Sequence, residues 1–401
     1  MTRAEIEKLS DPEVQKYLVT NAGEDESRLL LKHREMFGLP FRLIAHQLAV
    51  RKKGQAKLPM FCTTPGIVFP PSVNFEQCSS EATANFKTDL LSQNLAGEKN
   101  HAADLTGGLG IDSYFMSTLF RRIEYVEPDT QLLHIALHNH TILGASSIQH
   151  HVQTAEDFLA NRTDRFDLFY LDPSRRDTGN KKLLRLADCT PNVVGLLPRL
   201  LESGDFVLIK ASPLLDIHQA LRELQCVFKV MVVSVSNECK ELLFLLKRNF
   251  SGEPMIETYN LSKTGEVIQS FSFLLRDETQ AVSDFGEPQT YLYEPNASLL
   301  KSGAFRLVGE RFCLKKIHVN THLYTSSEKV ENFPGRVFRV DDWKFDSKNI
   351  PDQKANVLTR NYPIDAEALR KKLKLADGGE KYVIGFSGWK QKYTVLATRL
   401  A

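Results

Sequence analysis

Hydrophobic positions in the first sixty residues recur at helical spacing. The motif SDP at residues 10–12 places an N-capping residue and a proline before apolar side chains that follow every three or four residues as far as Leu48. The segment RKKGQAKLP at 51–59 ends this spacing with charge, glycine and proline. The sequence therefore predicts a helical N-terminal region over residues 1–58.

From about residue 80, short apolar runs alternate with segments of helical length. Several runs are apolar on both faces, as buried parallel strands are. The last two lie too close together for a crossover helix, so we expect them to pair antiparallel. The predicted strands are HAADLT (101–106), IEYVEP (123–128), IQHHVQ (148–153), FDLFYLD (166–172), DFVLIK (205–210), VFKVMVVSVS (227–236) and ELLFLLKR (241–248). They predict an α/β domain over residues 59–284, with a mostly parallel seven-stranded Rossmann-like sheet that ends in an antiparallel hairpin.

The pattern changes again beyond this domain. Residues 254–275 alternate like a hairpin with a turn at 263–265. Further on, the short runs RFCLKKIHV, GRVFRV, YVIGFS and YTVLAT accompany a helical segment, IDAEALRKKLKL, that ends before the glycines of 377–379. This mixture predicts a small α+β module over residues 285–401.

Charge is distributed unevenly along the chain. The net charge of the 401 residues is +2, yet residues 290–401 hold 20 Lys and Arg against 12 Asp and Glu, a net of +8. Lysine and arginine release counterions when they bind phosphates, so the basic module is a candidate nucleic-acid-binding surface. An ordinary basic surface is an equally good interpretation.

Several classes of protein are excluded by composition. The chain has neither a signal peptide nor eighteen consecutive apolar residues, which predicts a cytoplasmic protein without a membrane partner. Six cysteines at irregular intervals, without a CxxC pair, argue against disulfides and structural zinc. Five histidines between residues 134 and 151 lack acidic or cysteine partners at ligand spacing, so no metal site is predicted.

The segment AADLTGGLGIDSYFMS at 102–117 combines a strand end, a glycine-rich turn and a helix start. Its glycines let the backbone approach a ligand closely, with a helix N-terminus beyond. As a dinucleotide fingerprint it is incomplete, because Ser113 stands where the third glycine belongs. The candidate cofactor-binding residues of this turn are Asp104, Thr106, Gly107, Gly108 and Gly110.

Further carboxylates follow the next predicted strands. Glu127 closes the second, at a position suited to accept hydrogen bonds from ribose hydroxyls, and Asp172 closes the fourth. Asp157, with Glu156 as its rival, is placed to accept from an adenine amino group after the third. Ligands of open α/β sheets bind at the carboxyl ends of the strands, so these acids predict one nucleoside-binding crevice.

Two cofactors compete for such a crevice. A ribose-binding acid after a glycine turn serves NAD as well as S-adenosylmethionine. The missing third glycine, the Asp-Pro after the fourth strand and the terminal hairpin argue against NAD. A cationic sulfonium also suits an acid-lined pocket, whereas a pyrophosphate beside Asp104 does not.

The motifs DLTGGLGID, YVEPD, AEDF and LDPSRR resemble the consecutive motifs of class I S-adenosylmethionine-dependent methyltransferases. More narrowly, QLAVRKKGQAKLP, FEQCSSEATANFK, LDPSRRD, YLYEPNASLLKSG and TRNYPIDAEALRKKLKLADGGE resemble a bacterial methyltransferase family with a C-terminal THUMP-like domain, across nearly the whole chain. That resemblance implies a ferredoxin-like segment followed by the THUMP-like module. THUMP domains are generally associated with RNA binding.

Candidate catalytic residues follow the fourth strand. Asp172-Pro173-Ser174-Arg175 stands where many amino-group methyltransferases carry Asp/Asn-Pro-Pro-Tyr/Phe, and the aromatic residue is absent. Arg175 or Arg176 is therefore a candidate to clamp a phosphate or stack on a base, with exposed loop arginines as the alternative. The predicted catalytic set is Asp172, Pro173 and Arg175.

The segment before the glycine turn is a second source of candidates. By resemblance it folds over the cofactor, which makes Gln77, Ser80 and Thr83 candidate ligands; helix capping by Ser79 or Ser80 explains the serines equally well. Two further side chains have more ordinary interpretations. They are Lys210, as an exposed lysine at the end of the fifth strand, and Cys239, as a buried bystander and not a nucleophile.

The sequence thus predicts an S-adenosylmethionine-dependent methyltransferase whose basic C-terminal module binds a tRNA or rRNA substrate. One alternative is a methyltransferase of a protein or small molecule. Another is a non-catalytic RNA-binding protein that retains the cofactor pocket. Neither the methylated atom nor the oligomeric state is predicted.

Overall fold

The computed structural model of the protein describes residues 1–70, 72–95, 97–160, 162–175 and 185–400. The chain forms two compact units, each built from segments that are not continuous in sequence. The first contains residues 1–229, 241–252 and 262–266, and the second contains residues 230–240, 253–261 and 267–401. The domain boundaries drawn above at residues 58 and 284 stay predictions.

Helices and strands alternate through most of the described chain. The strands are β1 (Glu35–Met36), β2 (Leu39–Pro40), β3 (His101–Asp104), β4 (Arg122–Val126), β5 (Ile148–His151), β6 (Phe166–Leu171), β7 (Ser174–Arg175), β8 (Cys189–Thr190), β9 (Gly204–Ala211), β10 (Val227–Val235), β11 (Glu238–Lys247), β12 (Met255–Leu261), β13 (Val267–Leu274), β14 (Tyr291–Pro295), β15 (Lys315–His318), β16 (Thr321–Ser326), β17 (Gly335–Asp342), β18 (Asn356–Arg360), β19 (Lys381–Ser387) and β20 (Lys392–Leu400). The α-helices are α1 (Arg3–Ser10), α2 (Pro12–Thr20), α3 (Glu26–Lys32), α4 (Phe41–Gly54), α5 (Pro59–Thr63), α6 (Ser72–Gln77), α7 (Glu81–Asn94), α8 (Ile111–Met116), α9 (Thr130–Ile142), α10 (Ala155–Ala160), α11 (Val193–Ser203), α12 (Ile217–Glu223), α13 (Leu275–Gln280), α14 (Ala297–Ser302), α15 (Phe305–Arg311) and α16 (Ala366–Leu373).

The first unit is built around a mostly parallel sheet in the order β11-β9-β6-β3-β4-β5. Strand β3 is central and pairs parallel with both neighbours, so that Asp104 lies opposite Tyr125 on β4 and Tyr170 on β6. Pairing stays parallel between β4 and β5 and between β6 and β9, and becomes antiparallel between β9 and β11. The predicted strands and α/β class are confirmed, and the carboxyl ends of β3, β4 and β6 meet at one edge.

The predicted terminal hairpin begins at the link between β10 and β11. Only Ser236 and Asn237 connect these strands, and both have left-handed φ values, 51° and 65°. Positive φ at both central residues is what a type I′ turn requires, and such turns join antiparallel strands. In the second unit, β12 and β13 pair antiparallel, in the strand order β13-β12-β10. Strands β12 and β13 are thus additional to the seven strands predicted.

The N-terminal region folds as several short helices and not as one periodic stretch. A two-residue hairpin, β1 and β2, interrupts it at Phe37 and Gly38, both of which have positive φ. Helix α4 carries Arg51, which is buried and donates hydrogen bonds to the carbonyl oxygens of Cys62 and Ile67. These charge-assisted bonds satisfy the two terminal nitrogens of the guanidinium inside an apolar core, whereas its buried Nε has no hydrogen-bond partner among the described residues.

The second unit contains a seven-stranded sheet in the order β15-β16-β14-β17-β20-β19-β18. All its pairings are antiparallel except β18 with β19, where helix α16 forms the crossover between the parallel strands. The sequence patterns indicated β15, β17, β19, β20 and α16. Strands β14, β16 and β18 were not predicted. Within the described residues, no helix combines the length and apolar character that crossing a membrane requires.

A buried histidine makes the stability of the first unit sensitive to acid. His140 on α9 bonds through Nε2 to the carbonyl oxygen of Gly110 at 2.9 Å and through Nδ1 to Nε2 of His150 at 2.9 Å. Since a carbonyl only accepts, Nε2 of His140 carries the hydrogen. Burial lowers the pKa of His140 to about 4, although the bond to Gly110 opposes the shift.

We predict that stability falls as the pH drops from 6.5 towards 4. Only the unfolded chain protonates this histidine there, which costs about 1.4 kcal/mol per pH unit. The variant His140→Gln keeps a donor for Gly110 but cannot titrate, so urea unfolding between pH 7 and 5 should show a shallower loss. The exposed His218→Gln is the matched control, and equal pH dependence in both variants would contradict this account.

Candidate active site

The glycine-rich turn after β3 is fixed by two positions where a side chain would collide. A Cβ on Gly107 would lie 2.3 Å from the ring of Tyr125, and one on Gly110 would lie 2.5 Å from Nε2 of His140. Gly110 also has a φ of 76°. A Cβ on Gly108, which has a φ of 56°, would meet only the carbonyl oxygen of Thr106, at 3.7 Å. The turn therefore packs tightly at both ends and leaves its middle accessible to a ligand.

Asp104 closes β3 beneath this turn. Its side chain is buried, with Oδ1 accepting from the Thr106 N–H at 3.1 Å and Oδ2 accepting from the Ser113 hydroxyl at 2.5 Å. Burial raises its pKa to about 7, because two hydrogen bonds compensate only part of the lost hydration. Near neutral pH, a charged group placed beside Asp104 therefore changes the fraction of Asp104 that is ionised.

Glu127 closes β4 and holds the same turn from the other side. Its Oε2 accepts from the Gly108 N–H at 2.9 Å and its Oε1 from the Asp129 N–H at 2.9 Å. Burial raises the pKa of this carboxyl, although both backbone bonds oppose the shift. A carboxylate oriented by two backbone donors keeps lone pairs for ligand hydroxyls.

Asp172 closes β6 and is joined to the turn through Thr106, whose hydroxyl oxygen accepts from the Asp172 N–H at 2.6 Å. Its Oδ2 forms an ion pair with Nζ of Lys210, which lies near the end of β9. Burial would lower the pKa of Lys210, but the carboxylates of Asp172, Asp112 and Glu241 raise it above its ordinary range. Lys210 is thus a charged partner of the candidate catalytic acid and not the exposed lysine favoured from the sequence.

A buried ionic cluster lies beside this pair, and no sequence pattern described above predicts it. Nζ of Lys87 on α7 bonds to both carboxylate oxygens of Glu241 on β11, at 3.0 and 2.9 Å, and lies 3.2 Å from Oδ1 of Asp112. Oδ2 of Asp112 accepts from the Tyr170 hydroxyl at 2.8 Å and from Ser79 at 2.6 Å. The cluster ties α7, α8, β6 and β11 together.

The two carboxylates of the cluster titrate differently. Burial raises the pKa of Asp112, but the ammonium groups of Lys87 and Lys210 outweigh it and hold the pKa below the ordinary value. For Glu241 burial dominates, so its pKa is raised despite the contact with Lys87. The only feature of this cluster that the sequence shows is Asp112, an acid in the first turn of α8. The pair of Lys87 and Glu241 is separated by 154 positions, so no local pattern indicates it.

Carboxylates outnumber cations around the turn. The acidic side chains are Asp104, Asp112, Glu127, Asp172 and Glu241, and the lysines in contact with them are Lys87 and Lys210. In a weakly hydrated site this excess attracts a positively charged ligand and repels an anionic one. The carboxyl edge of the sheet around the turn is therefore better suited to a cation than to a pyrophosphate.

The remaining candidate cofactor residues lie in more ordinary surroundings. Asp157 is exposed in the first turn of α10, where its carboxylate accepts from the Thr154 hydroxyl at 2.8 Å. Ser80 caps α7 by accepting from the Thr83 N–H at 3.2 Å, and Thr83 is buried. Gln77 is exposed at the end of α6. Their roles as ligands stay predictions.

The candidate catalytic loop is described only in part. Pro173 follows Asp172 and is partly buried. Ser174 and Arg175 form β7, which pairs antiparallel with β8. The side chain of Arg175 and the whole of Arg176 lie outside the described residues.

The C-terminal part of the chain matches two domain families. Residues 291–334 match a ferredoxin-like domain, and residues 335–399 match a THUMP domain-like family. These matches confirm the ferredoxin-like and THUMP-like segments that the sequence resemblance implied. They cover the seven-stranded sheet of the second unit.

Similarity to other proteins extends over the rest of the chain. The crystal structure of a protein from Porphyromonas gingivalis W83, named a putative methyltransferase, covers 100% of this chain and 99% of its own, at 28% identity and a TM-score of 0.84. The chain has the class I methyltransferase fold. Two Mycobacterium tuberculosis proteins, named uncharacterized S-adenosylmethionine-dependent methyltransferases, are each 22% identical over 351 residues, 85% of this chain and 91% of theirs. The resemblance stated from the motifs is confirmed.

We predict that Lys87→Met destabilises the first unit by about 3–5 kcal/mol, because it removes the cation in direct contact with the buried carboxylates of Glu241 and Asp112. Adding Glu241→Gln should restore part of this loss, since one of the two uncompensated carboxylates is then removed. Equilibrium urea unfolding of both variants provides the measurement. A loss below about 1 kcal/mol for the single variant would mean that the cluster contributes little to stability.

Proposed function

We propose that the protein transfers the methyl group of S-adenosylmethionine to an RNA substrate. The acid-rich crevice around the glycine turn carries the cofactor part of this proposal. The basic C-terminal module, with its net charge of +8 over residues 290–401, carries the substrate part. The naming of the relatives as methyltransferases supports the reaction type.

The residues around the turn fit this cofactor. Glu127 presents a carboxylate to ribose hydroxyls, and the open side of Gly108 allows close approach. Asp157 would accept from the adenine amino group, while Gln77, Ser80 and Thr83 lie on the segment proposed to cover the methionine end. The bound cofactor would supply an electrophilic methyl group on a cationic sulfur, which the excess of carboxylates favours.

Asp172 and Lys210 would position the acceptor atom. The ion pair holds the ammonium of Lys210 against Oδ2 of Asp172, and the Thr106 hydroxyl fixes the backbone of Asp172. About a third of the Asp172 side chain stays exposed, so its carboxylate can accept a hydrogen bond from an incoming nucleophile. Pro173 restricts the chain directly after this carboxylate, and Arg175 is proposed to bind substrate phosphate.

The competing NAD-dependent reaction fits less well. A pyrophosphate would lie beside a turn whose nearest charged groups are Asp104 and Glu127. Both lysines in contact with these acids already form ion pairs. Lys87 pairs with Glu241 and Asp112, and Lys210 pairs with Asp172. Neutralising two phosphates would require breaking one of these pairs.

We predict that affinity for S-adenosylmethionine rises up to about tenfold between pH 6 and 8. Asp104, whose pKa is about 7, is mostly neutral at the lower pH and mostly ionised at the higher one, and the ionised form attracts the sulfonium. S-adenosylhomocysteine has an uncharged sulfur, so its affinity should change less. Isothermal titration calorimetry with both ligands measures the difference.

Asp104→Asn should remove the difference between the two ligands, because its side chain stays neutral at every pH. The exposed Asp164→Asn serves as the matched control and should retain it. An equal pH dependence for both ligands in the unaltered protein would show that Asp104 does not sense the sulfur charge. Tighter binding of NADH than of either ligand would exclude the cofactor assignment.

We predict that a tritiated methyl donor labels an RNA fraction when the protein is incubated separately with tRNA, rRNA and cellular protein. Asp172→Asn should lower the rate roughly 100-fold or more, because the acceptor atom loses its ionised hydrogen-bond partner. Asp164→Asn is again the control, and both variants should bind the cofactor. Labelling of protein alone, insensitive to ribonuclease, would favour a protein substrate and overturn the RNA assignment.

A further inference from the structure

An exposed aromatic cluster lies at the end of the C-terminal sheet. Trp389, in the turn between β19 and β20, is 54% exposed; Trp343, directly after β17, is 40% exposed; and Phe285, before β14, is 42% exposed. In the described part of the chain, every other phenylalanine, tyrosine and tryptophan is less exposed. Grouped exposed apolar side chains mark interaction sites, and this group contains both tryptophans of the chain.

These rings form two groups that Glu287 links, and we call them together the aromatic platform: Phe285, His318 and Trp389 in one group, and Trp343 and Tyr393 in the other. The Trp389 ring lies 5.5 Å from Phe285 and 4.6 Å from His318, centroid to centroid. The Trp343 ring lies 6.2 Å from that of Tyr393. Glu287 connects the two halves, because its carboxylate accepts from the Tyr393 hydroxyl at 2.6 Å and pairs with Lys390 beside Trp389.

Exposed lysines surround the aromatic platform. Lys390 and Lys392 flank the turn that carries Trp389, and Lys344 follows Trp343. Lys315 on β15 passes close to Gly286, where an added Cβ would lie 2.7 Å from its Cδ.

Apart from Asp284, which is exposed directly before Phe285, the acidic side chains near the platform have polar partners. Glu287 bonds to Tyr393 and Lys390, as described above. Asp341 pairs with Lys381 at 2.8 Å and with Arg339 at 3.4 Å, and Asp342 accepts from the backbone N–H of Lys344. The platform therefore combines stacking faces with a surplus of cations that can reach phosphates.

We propose that the aromatic platform binds a single-stranded segment of the RNA substrate, with bases stacked on Trp343 and Trp389 and phosphates held by the surrounding lysines. This inference rests on the proposed function and deepens it. Unpaired bases stack on exposed aromatic rings, whereas duplex RNA hides its base faces and is recognised by shape and backbone. A protein partner fits less well, because protein interfaces are depleted of lysine and four lysines surround this surface.

The platform carries its own spectroscopic probe, since both tryptophans of the chain belong to it. Adding a short oligouridylate to the full-length protein should quench tryptophan fluorescence saturably, because a stacked base contacts the indole directly. An RNA duplex of the same length should quench little. Trp343→Phe leaves Trp389 as the reporter and Trp389→Phe leaves Trp343, so each position is tested alone while its ring remains aromatic.

Replacing both tryptophans with alanine should weaken oligouridylate binding by about tenfold or more, measured by the anisotropy of a labelled strand. The replacement of each by phenylalanine should retain most of the affinity. Leu31→Ala, which shortens an exposed apolar side chain of the first unit, is the matched control and should leave binding unchanged.

The platform and the proposed function fail in different ways. RNA that binds and accepts methyl groups without quenching either tryptophan, or with unchanged affinity in the double alanine variant, would overturn the platform and leave the proposed function standing. Quenching by the single strand without methyl transfer to any RNA would support the platform and overturn the proposed function. A change of sedimentation from oligomer to monomer in the double variant would assign the surface to self-association and overturn the proposal.

Discussion

The buried contact of Lys87 with Glu241 and Asp112 is the interaction on which the arrangement of the crevice depends. It joins a helix that precedes the sheet, the helix after the glycine turn and a strand from the far end of the first unit. Through Asp112 it orients Tyr170, and through Glu241 it adds to the negative field that keeps Lys210 charged. A buried ionic contact carries a large desolvation cost, because both charges lose their hydration. Its members are therefore constrained to one geometry.

Much of the fold could be predicted because strands buried on both faces leave a clear apolar signal. The acids at strand ends were found for a related reason: parallel strands bring their carboxyl ends to one edge, so chain order alone places Asp104, Glu127 and Asp172 together. The hydrogen bonds of Glu127 and Thr106 to the glycine turn connect these three positions. For Asp157 the same rule gives only the end of a strand, and the side chain lies exposed on a helix.

Other features have no local signal. Lys87 lies in a helix that mixes polar and apolar residues, and nothing near it in sequence indicates that its partner is a glutamate on β11. Strand β14 alternates poorly because it is buried along most of its length between β16 and β17, and β18 pairs at an edge with half-buried residues throughout. Such strands are defined by their neighbours and not by their own periodicity. The aromatic platform is likewise assembled from turns and strand ends distant in sequence.

The exchange of segments between the two units has a consequence for synthesis on the ribosome. The first unit needs residues 241–252 and 262–266, yet the intervening stretch 253–261 belongs to the second. Strand β11 and the turn in which Gly265 lies against Ala82 thus join their unit only after part of the other has emerged. Neither unit is continuous in sequence. A truncation at any single position would therefore separate at least one unit from part of its own chain.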